Sequence, residues 1–245
     1  LRRGLVDILR AITALRPRPE TMLTTNGIGL VRQATALADA GLDRVNISLD
    51  TLDRDTFRGL AHRDRLADTL AGLQAATDVG LTPVKINSVL LRGVNEHEAV
   101  PLAEFALEHG HELRFIEQMP LDAQHSWDRT SMVTASEILA ALQTRWTLTP
   151  DPAHRGAAPA ETWLVDGGPA RIGVIASVTR PFCGACDRTR LTADGQVRNC
   201  LFATGETDLR GALRSGGTDA EIADLWRTAM WGKLAGHGID DPSFL

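Results

Sequence analysis

The chain has 245 residues, 26 Lys and Arg against 31 Asp and Glu, and a formal net charge of −5, with 43% hydrophobic and 23% charged residues. That balance is ordinary for a globular protein and argues against a basic surface that reads nucleic acid. No stretch approaches the roughly 18 uninterrupted apolar residues of a membrane span, and the N-terminus lacks the apolar run of a signal peptide. The reading is a soluble cytoplasmic protein with no membrane and no nucleic-acid partner, one large domain or one with a small appendage.

The chain opens on Leu1 inside a helical pattern from Gly4 to Leu15, with Leu5, Ile8, Leu9, Ile12 and Leu15 on one face, so it reads as starting within a longer protein. From Glu20 to about Leu148, β-branched runs alternate with helical segments. Strands are expected at Met22–Thr25, Arg44–Leu49, Val84–Leu90 and Leu113–Glu117. Helices are expected over Leu30–Ala40, Asp53–Gly80 with a break near His62-Arg63-Asp64, Glu96–His109, and Ala135–Trp146 behind a Thr134 cap. Repeated βα units imply parallel strands, and their spacing suits part of a β/α barrel. Thr149 to Pro159, rich in Pro, Ala and Gly, reads as a linker or an irregular crossing segment. After it come a hairpin of Thr162–Asp166 with Arg171–Val178 and a second of Arg188–Leu191 with Val197–Leu201. Helices over about Asp208–Arg214 and Asp219–Leu234 finish the chain.

Strands of a parallel sheet covered by helices are normally apolar on both faces. Here Val45, Ile47 and Leu49 make one apolar face while Asn46, Ser48 and Asp50 make the other; Lys85 with Asn87, and Thr24 with Asn26, repeat the pattern. Singly, each is as well explained as a satisfied core polar group or a solvated edge. Agreement across three strands implies a wet or ligand-filled cavity lined by Thr24, Asn26, Asn46, Ser48, Asp50, Lys85 and Asn87. Chemistry in β/α barrels sits at the C-terminal strand ends, which favours Asn26, Asp50 and Glu117-Gln118-Met119 as rim groups. Asn26-Gly27-Ile28-Gly29 reads equally as a phosphate-binding turn or a tight βα turn.

The three cysteines are Cys183, Cys186 and Cys200, a CxxC followed by thirteen residues and the third thiol. If Asp194-Gly195 is a two-residue turn, Leu191 faces Arg198 and Thr189 faces Cys200, so the third thiol returns beside the first two. Three thiolates with no near fourth ligand suit a [4Fe-4S] cluster with one open iron better than structural zinc, since His154 and His237 are distant and Asp187 is a poor ligand. Chance clustering of buried thiols is the third alternative. Arg188 and Arg190, two apart, suit a phosphate or carboxylate, or else a solvated cationic face.

TTNG at Thr24–Gly27, VNISLD at Val45–Asp50, Lys85-Ile86-Asn87, RFIEQM at Arg114–Met119, FCGACDRTRLTADG at Phe182–Gly195 and CLFA at Cys200–Ala203 together resemble the GTP 3′,8-cyclase family of molybdenum cofactor biosynthesis, radical S-adenosylmethionine enzymes. The resemblance implies an α/β fold: a partial TIM-like β/α barrel over residues 1–148 and a C-terminal substrate-binding [4Fe-4S] region over 149–245. It implies Cys183, Cys186 and Cys200 as cluster ligands, Thr24, Lys85, Arg188, Thr189 and Arg190 as GTP contacts, and Ser48 and Met119 as contacts to S-adenosylmethionine. The implied reaction abstracts hydrogen from C3′ of GTP and joins C3′ to C8, giving (8S)-3′,8-cyclo-7,8-dihydroguanosine 5′-triphosphate. A homodimer is a compatible assembly, and the product would pass to the pathway's cyclic pyranopterin monophosphate synthase.

Two departures stand out. The family's N-terminal CxxxCxxC, which holds a second [4Fe-4S] cluster, has no counterpart ahead of Cys183, and the chain ends on Ser243-Phe244-Leu245 where the family has a glycine pair. The sequence therefore reads as a fragment of a complete enzyme, inactive alone, or as a non-catalytic paralogue that keeps GTP and cluster binding.

Overall fold

The computed structural model describes residues 2–121, 127–203 and 205–233. The described residues of Leu1–Gln118, Asp128–Ala153 and Ala160–Ala176 form one compact unit, and those of Met119–Trp127, His154–Pro159 and Ser177–Leu245 a second.

In the first unit, α1 (Leu5–Thr13), β1 (Met22–Thr25), α2 (Ala34–Asp39), β2 (Arg44–Ser48), α3 (Arg54–Ala61), α4 (Leu66–Asp78), β3 (Lys85–Val89), α5 (Ala99–Glu108), β4 (Glu112–Ile116) and α6 (Ala135–Gln143) follow the expected alternation. The stretch from Leu30 divides into a 3₁₀ turn at Leu30–Arg32 and then α2, and Glu96–Glu98 is likewise 3₁₀ ahead of α5. The break after α3 falls at His62, whose left-handed backbone (φ 54°) ends the helix. Thr134 caps α6 in a reciprocal capping box with Glu137, as its sequence position suggests.

The sheet has seven strands in the order β1-β2-β3-β4-β7-β6-β5, with β5 at Leu148–Pro150, β6 at Glu161–Val165 and β7 at Arg171–Ile175. Strands β1 to β4 and β7 are parallel; β7, β6 and β5 are antiparallel. The outward face is the expected greasy one: Val45, Ile47, Ile86, Leu113, Phe115 and Ile172 are essentially inaccessible and share a core with Leu73, Leu102 and Ala103 of the helices. The structure is thus an α/β unit built on a mixed sheet.

Most of Thr149–Pro159 is irregular, as expected, and only Thr149 and Pro150 of it lie in a strand. Its first residues form the edge strand β5, pairing Thr149 with Leu164 and Pro150 with Trp163. An edge strand accepts proline because its N–H side can go unpaired, so composition alone does not separate the two cases. The β6–β7 hairpin extends the parallel sheet rather than opening a new architecture, because β7 pairs in parallel with β4.

The second unit carries a three-stranded antiparallel sheet of β8 (Arg190–Leu191), β9 (Gln196–Arg198) and β10 (Thr207–Asp208), then α7 (Leu209–Arg214) and α8 (Asp219–Trp231). The hairpin register is one residue from the expected one: Arg190 faces Arg198 and Leu191 faces Val197. The turn is longer than two residues, with Thr192 N–H donating to Gln196 O and Gly195 N–H to Thr192 O. Leu234, the expected end of the last helix, lies outside the described residues. Among the described residues no helix is long and apolar enough to cross a membrane.

Helix α4 crosses the first βα turn at very short range: a Cβ on Gly72 would stand 2.5 Å from the Gly27 carbonyl oxygen. Gly72→Ala should therefore destabilise the protein by about 1–3 kcal/mol, the usual cost of overpacking. Gly59→Ala, in α3 with open space around the new methyl, should be neutral or stabilising by about 0.5–1 kcal/mol. Urea unfolding of the two variants checks this; equal midpoints would remove the close-packing explanation of Gly72.

Candidate functional site

The polar face of the sheet is built by register. Thr24, Asn46, Lys85 and Glu112 lie opposite one another across β1 to β4, and Ser48, Asn87, Arg114 and Gly173 across β2, β3, β4 and β7. Residues two apart on a strand share a face, so these two rows lie side by side. The pattern expected on three strands extends to a fourth, bringing in Glu112 and Arg114. Lys85 is buried and its Nζ stands 2.8 Å from Glu112 Oε2. Arg114 sits over Gly173, where a Cβ would meet its Cγ at 3.1 Å. Burial pulls the Arg114 guanidinium below the usual range, against the stabilising charge of Glu112.

Lys85, Glu112, Arg114, Asp151, Thr162 and Arg171 line a cavity of about 190 Å³, with Arg171 paired to Asp151 at 3.0 Å. Beside it Asn46 Oδ1 and Asn87 Oδ1 are buried without a hydrogen-bond partner. Each such acceptor costs ~1–3 kcal/mol unless a polar partner reaches it. Thr24 and Ser48 are exposed on the same two rows.

The rim residues behave differently from expectation. Asn26 spends its side chain on the turn, accepting from Ile28 N–H, while its carbonyl accepts from Thr69 Oγ1. Gly27 and Leu30 N–H groups are also paired within the turn, so Asn26 to Gly29 is a tight βα turn. Burial pushes the Asp50 carboxyl up, opposed by the Val89 N–H donated to it at 2.8 Å. Glu117 is 1% exposed and accepts from Ala135 N–H at the start of α6. Asp50 and Glu117 therefore brace the strand ends. Asn95 and Glu98, which no motif singles out, complete that brace. Asn95 Nδ2 donates to Asp50 O and Val89 O, and Glu98 accepts from Leu52 N–H and Thr51 Oγ1.

In the second unit, Cys183 opens a 3₁₀ turn whose Cys186 N–H donates back to Cys183 O at 3.1 Å. All three cysteines are free and half-buried. Burial pushes the Cys183 thiol up, and Cys200 and Cys186 add to that direction. Burial would also raise Cys186, but hydrogen bonds from Arg188 outweigh it and lower that thiol; Arg188 Nη2 donates to Cys186 Sγ at 3.1 Å. Lys233 Nζ joins the two arms of the hairpin, donating to Arg188 O and Asn199 O. Arg190 is lowered by burial and by the like charge of Arg188. Arg188 Nε is buried without a partner.

Among the described residues no three His, Cys, Asp or Glu side chains are arranged to hold a single metal ion. His154, considered as a fourth ligand, accepts from Gly156 N–H, and His237 lies outside the described residues. The donor set nevertheless suits an iron–sulfur cluster: three soft thiols, one already lowered, beside an unsatisfied cationic donor. Met119 is half-buried in the second unit. Sequence reasoning did not find Lys233, which acts through backbone carbonyls and leaves no motif.

Residues 1–106 match the radical SAM superfamily and residues 111–239 the Molybdenum Cofactor Synthesis C family. The chain is 67% identical over 246 residues to a GTP 3′,8-cyclase of Streptomyces coelicolor, covering 100% of this chain and 72% of that one. It is 57% identical over 249 residues to the Mycobacterium marinum GTP 3′,8-cyclase, covering 100% and 69%. A GTP 3′,8-cyclase 2 of Mycobacterium tuberculosis is 58% identical over 243 residues, covering 98% and 68%.

The buried Lys85 depends on its countercharge. Glu112→Gln should cost about 1–2 kcal/mol of unfolding free energy, less than for a fully enclosed pair because Glu112 is partly exposed. The double variant Lys85→Met with Glu112→Gln should recover most of that loss in urea unfolding. An unchanged midpoint in Glu112→Gln would show that the pair does not hold the row together.

Proposed function

The chain belongs to the GTP 3′,8-cyclase family of radical S-adenosylmethionine enzymes, and on that footing we propose that it converts GTP to (8S)-3′,8-cyclo-7,8-dihydroguanosine 5′-triphosphate in molybdenum cofactor biosynthesis. The observation that carries the reading to particular residues is Arg188, whose buried Nε has no hydrogen-bond partner and whose Nη2 stands 3.1 Å from Cys186 Sγ. On this reading the seven-stranded sheet belongs to a partial TIM-like β/α barrel.

Family membership brings iron–sulfur and S-adenosylmethionine chemistry in general. Cys183, Cys186 and Cys200 would hold a [4Fe-4S] cluster with one iron open to the guanine. When bound, S-adenosylmethionine, cleaved with an electron from a second cluster for which no thiol precedes Cys183, supplies the radical that takes hydrogen from C3′ before C3′ joins C8.

The chain's own residues bind and orient. Arg188 and Arg190 offer forked cations to the phosphates, and Thr189 a hydroxyl between them. Lys85 and Thr24 are proposed GTP contacts on the sheet's polar face, where Glu112 pairs with the buried Lys85 ammonium. Ser48 and Met119 are proposed contacts to S-adenosylmethionine. The reading includes a cytoplasmic setting, a homodimeric assembly, and transfer of the product to the cyclic pyranopterin monophosphate synthase of the pathway.

Two measurements test this. Anaerobic reconstitution should load about four irons per chain, and Ser at any one of Cys183, Cys186 or Cys200 should abolish or sharply reduce that content. Unchanged iron and sulfide in all three variants would sink the ligand assignment. Ala at Arg188 or Arg190 should weaken GTP binding about tenfold or more in isothermal titration at moderate salt. Wild-type affinity in the double variant would return both residues to a solvated face.

A further inference from the structure

Three thiols need no aromatic neighbour, yet Phe182 stands directly before the first of them with two guanidiniums over its ring. Arg188 lies 4.8 Å from the ring centroid and Arg155 5.1 Å. Two like charges gathered at one point repel, and what accommodates them is the negative face of the aromatic ring. Arg155 is itself fixed by backbone, its Nε donating to Ala158 O at 2.7 Å and its Nη2 to Pro159 O at 2.6 Å. Arg188 has one nitrogen on Cys186 Sγ and its Nε unsatisfied. A long side chain with so few partners would sample many rotamers, and the ring restricts them.

We propose that Phe182, braced by Arg155, is a positioning residue that fixes the guanidinium of Arg188 for an anionic ligand. The inference rests on the reading of Arg188 as a GTP contact and adds two residues that act through it. It also gives a function to the turn at residues 154–159, whose composition reads only as a spacer.

The test measures GTP affinity by isothermal titration on the full chain after anaerobic reconstitution, with iron content determined for each variant. Phe182→Leu, which keeps bulk and removes the ring, should weaken binding about fivefold. Phe182→Trp should bind within about twofold of wild type, since a cavity of about 170 Å³ beside the ring, bordered by Arg155, Gly184 and Ala185, leaves room for the indole. In an Arg188→Ala background Phe182→Leu should have no further effect, because its partner is gone. Arg155→Ala, which alters no residue of the cysteine turn, should weaken binding about twofold and decides the matter if Phe182→Leu fails to load iron. Wild-type affinity in Phe182→Leu, or the same loss with and without Arg188, would overturn the inference. Wild-type affinity in Arg188→Ala would instead remove the reading beneath it, and the inference with it.

Discussion

A lysine ammonium buried on the face of a parallel sheet is the constraint around which the first unit is arranged. Lys85 is 7% exposed, in the middle of a row whose neighbours are Asn46 and Glu112. A charge so placed is tolerated only with a partner, and the next strand supplies Glu112 in register. That pairing commits the whole face to polar residues, because a second row carrying Ser48, Asn87 and Arg114 then lies beside it. All apolar packing moves to the other face, where Ile47, Ile86, Leu113 and Ile172 meet the helices. The same division leaves a cavity of about 190 Å³ lined by three cations and two carboxylates, and two amide oxygens without partners. A sheet built for stability alone would not keep those groups.

The second unit works under the opposite constraint, too little core. Its strands are two or three residues long, and Val197 and Ala229 are among the few apolar side chains it encloses well. Polar ties take over: Lys233 joins the arms of the hairpin, Asn199 Nδ2 donates to Ala229 O, and Phe182 gathers two guanidiniums. A metal cluster held by three thiols would add the cross-links such a unit lacks, coupling cofactor binding to its folding.

Much of this was legible in the sequence. The parallel strands, the apolar and polar faces and the α6 cap all follow from residue period and spacing. What was not legible depends on partners distant in sequence. Asp50 and Glu117 read as open rim groups because strand ends are where barrel chemistry sits, yet Val89 and Ala135 N–H groups claim them. Cys200 was placed opposite Thr189 by assuming the shortest turn, and Thr192 closes a longer one, shifting the register by a residue. The Pro-rich stretch concealed β5 because edge pairing leaves no periodic trace in three residues.

If Cys183, Cys186 and Cys200 hold a cluster as proposed, its remaining iron is the one that would receive GTP. Mössbauer spectroscopy of the iron-57 reconstituted chain, recorded without and with saturating GTP, tests it directly. The expected result is a [4Fe-4S] spectrum in which one iron changes its parameters on GTP addition while the thiolate-bound irons stay as they were. A spectrum unchanged by saturating GTP, or one with no cubane iron at all, would contradict it.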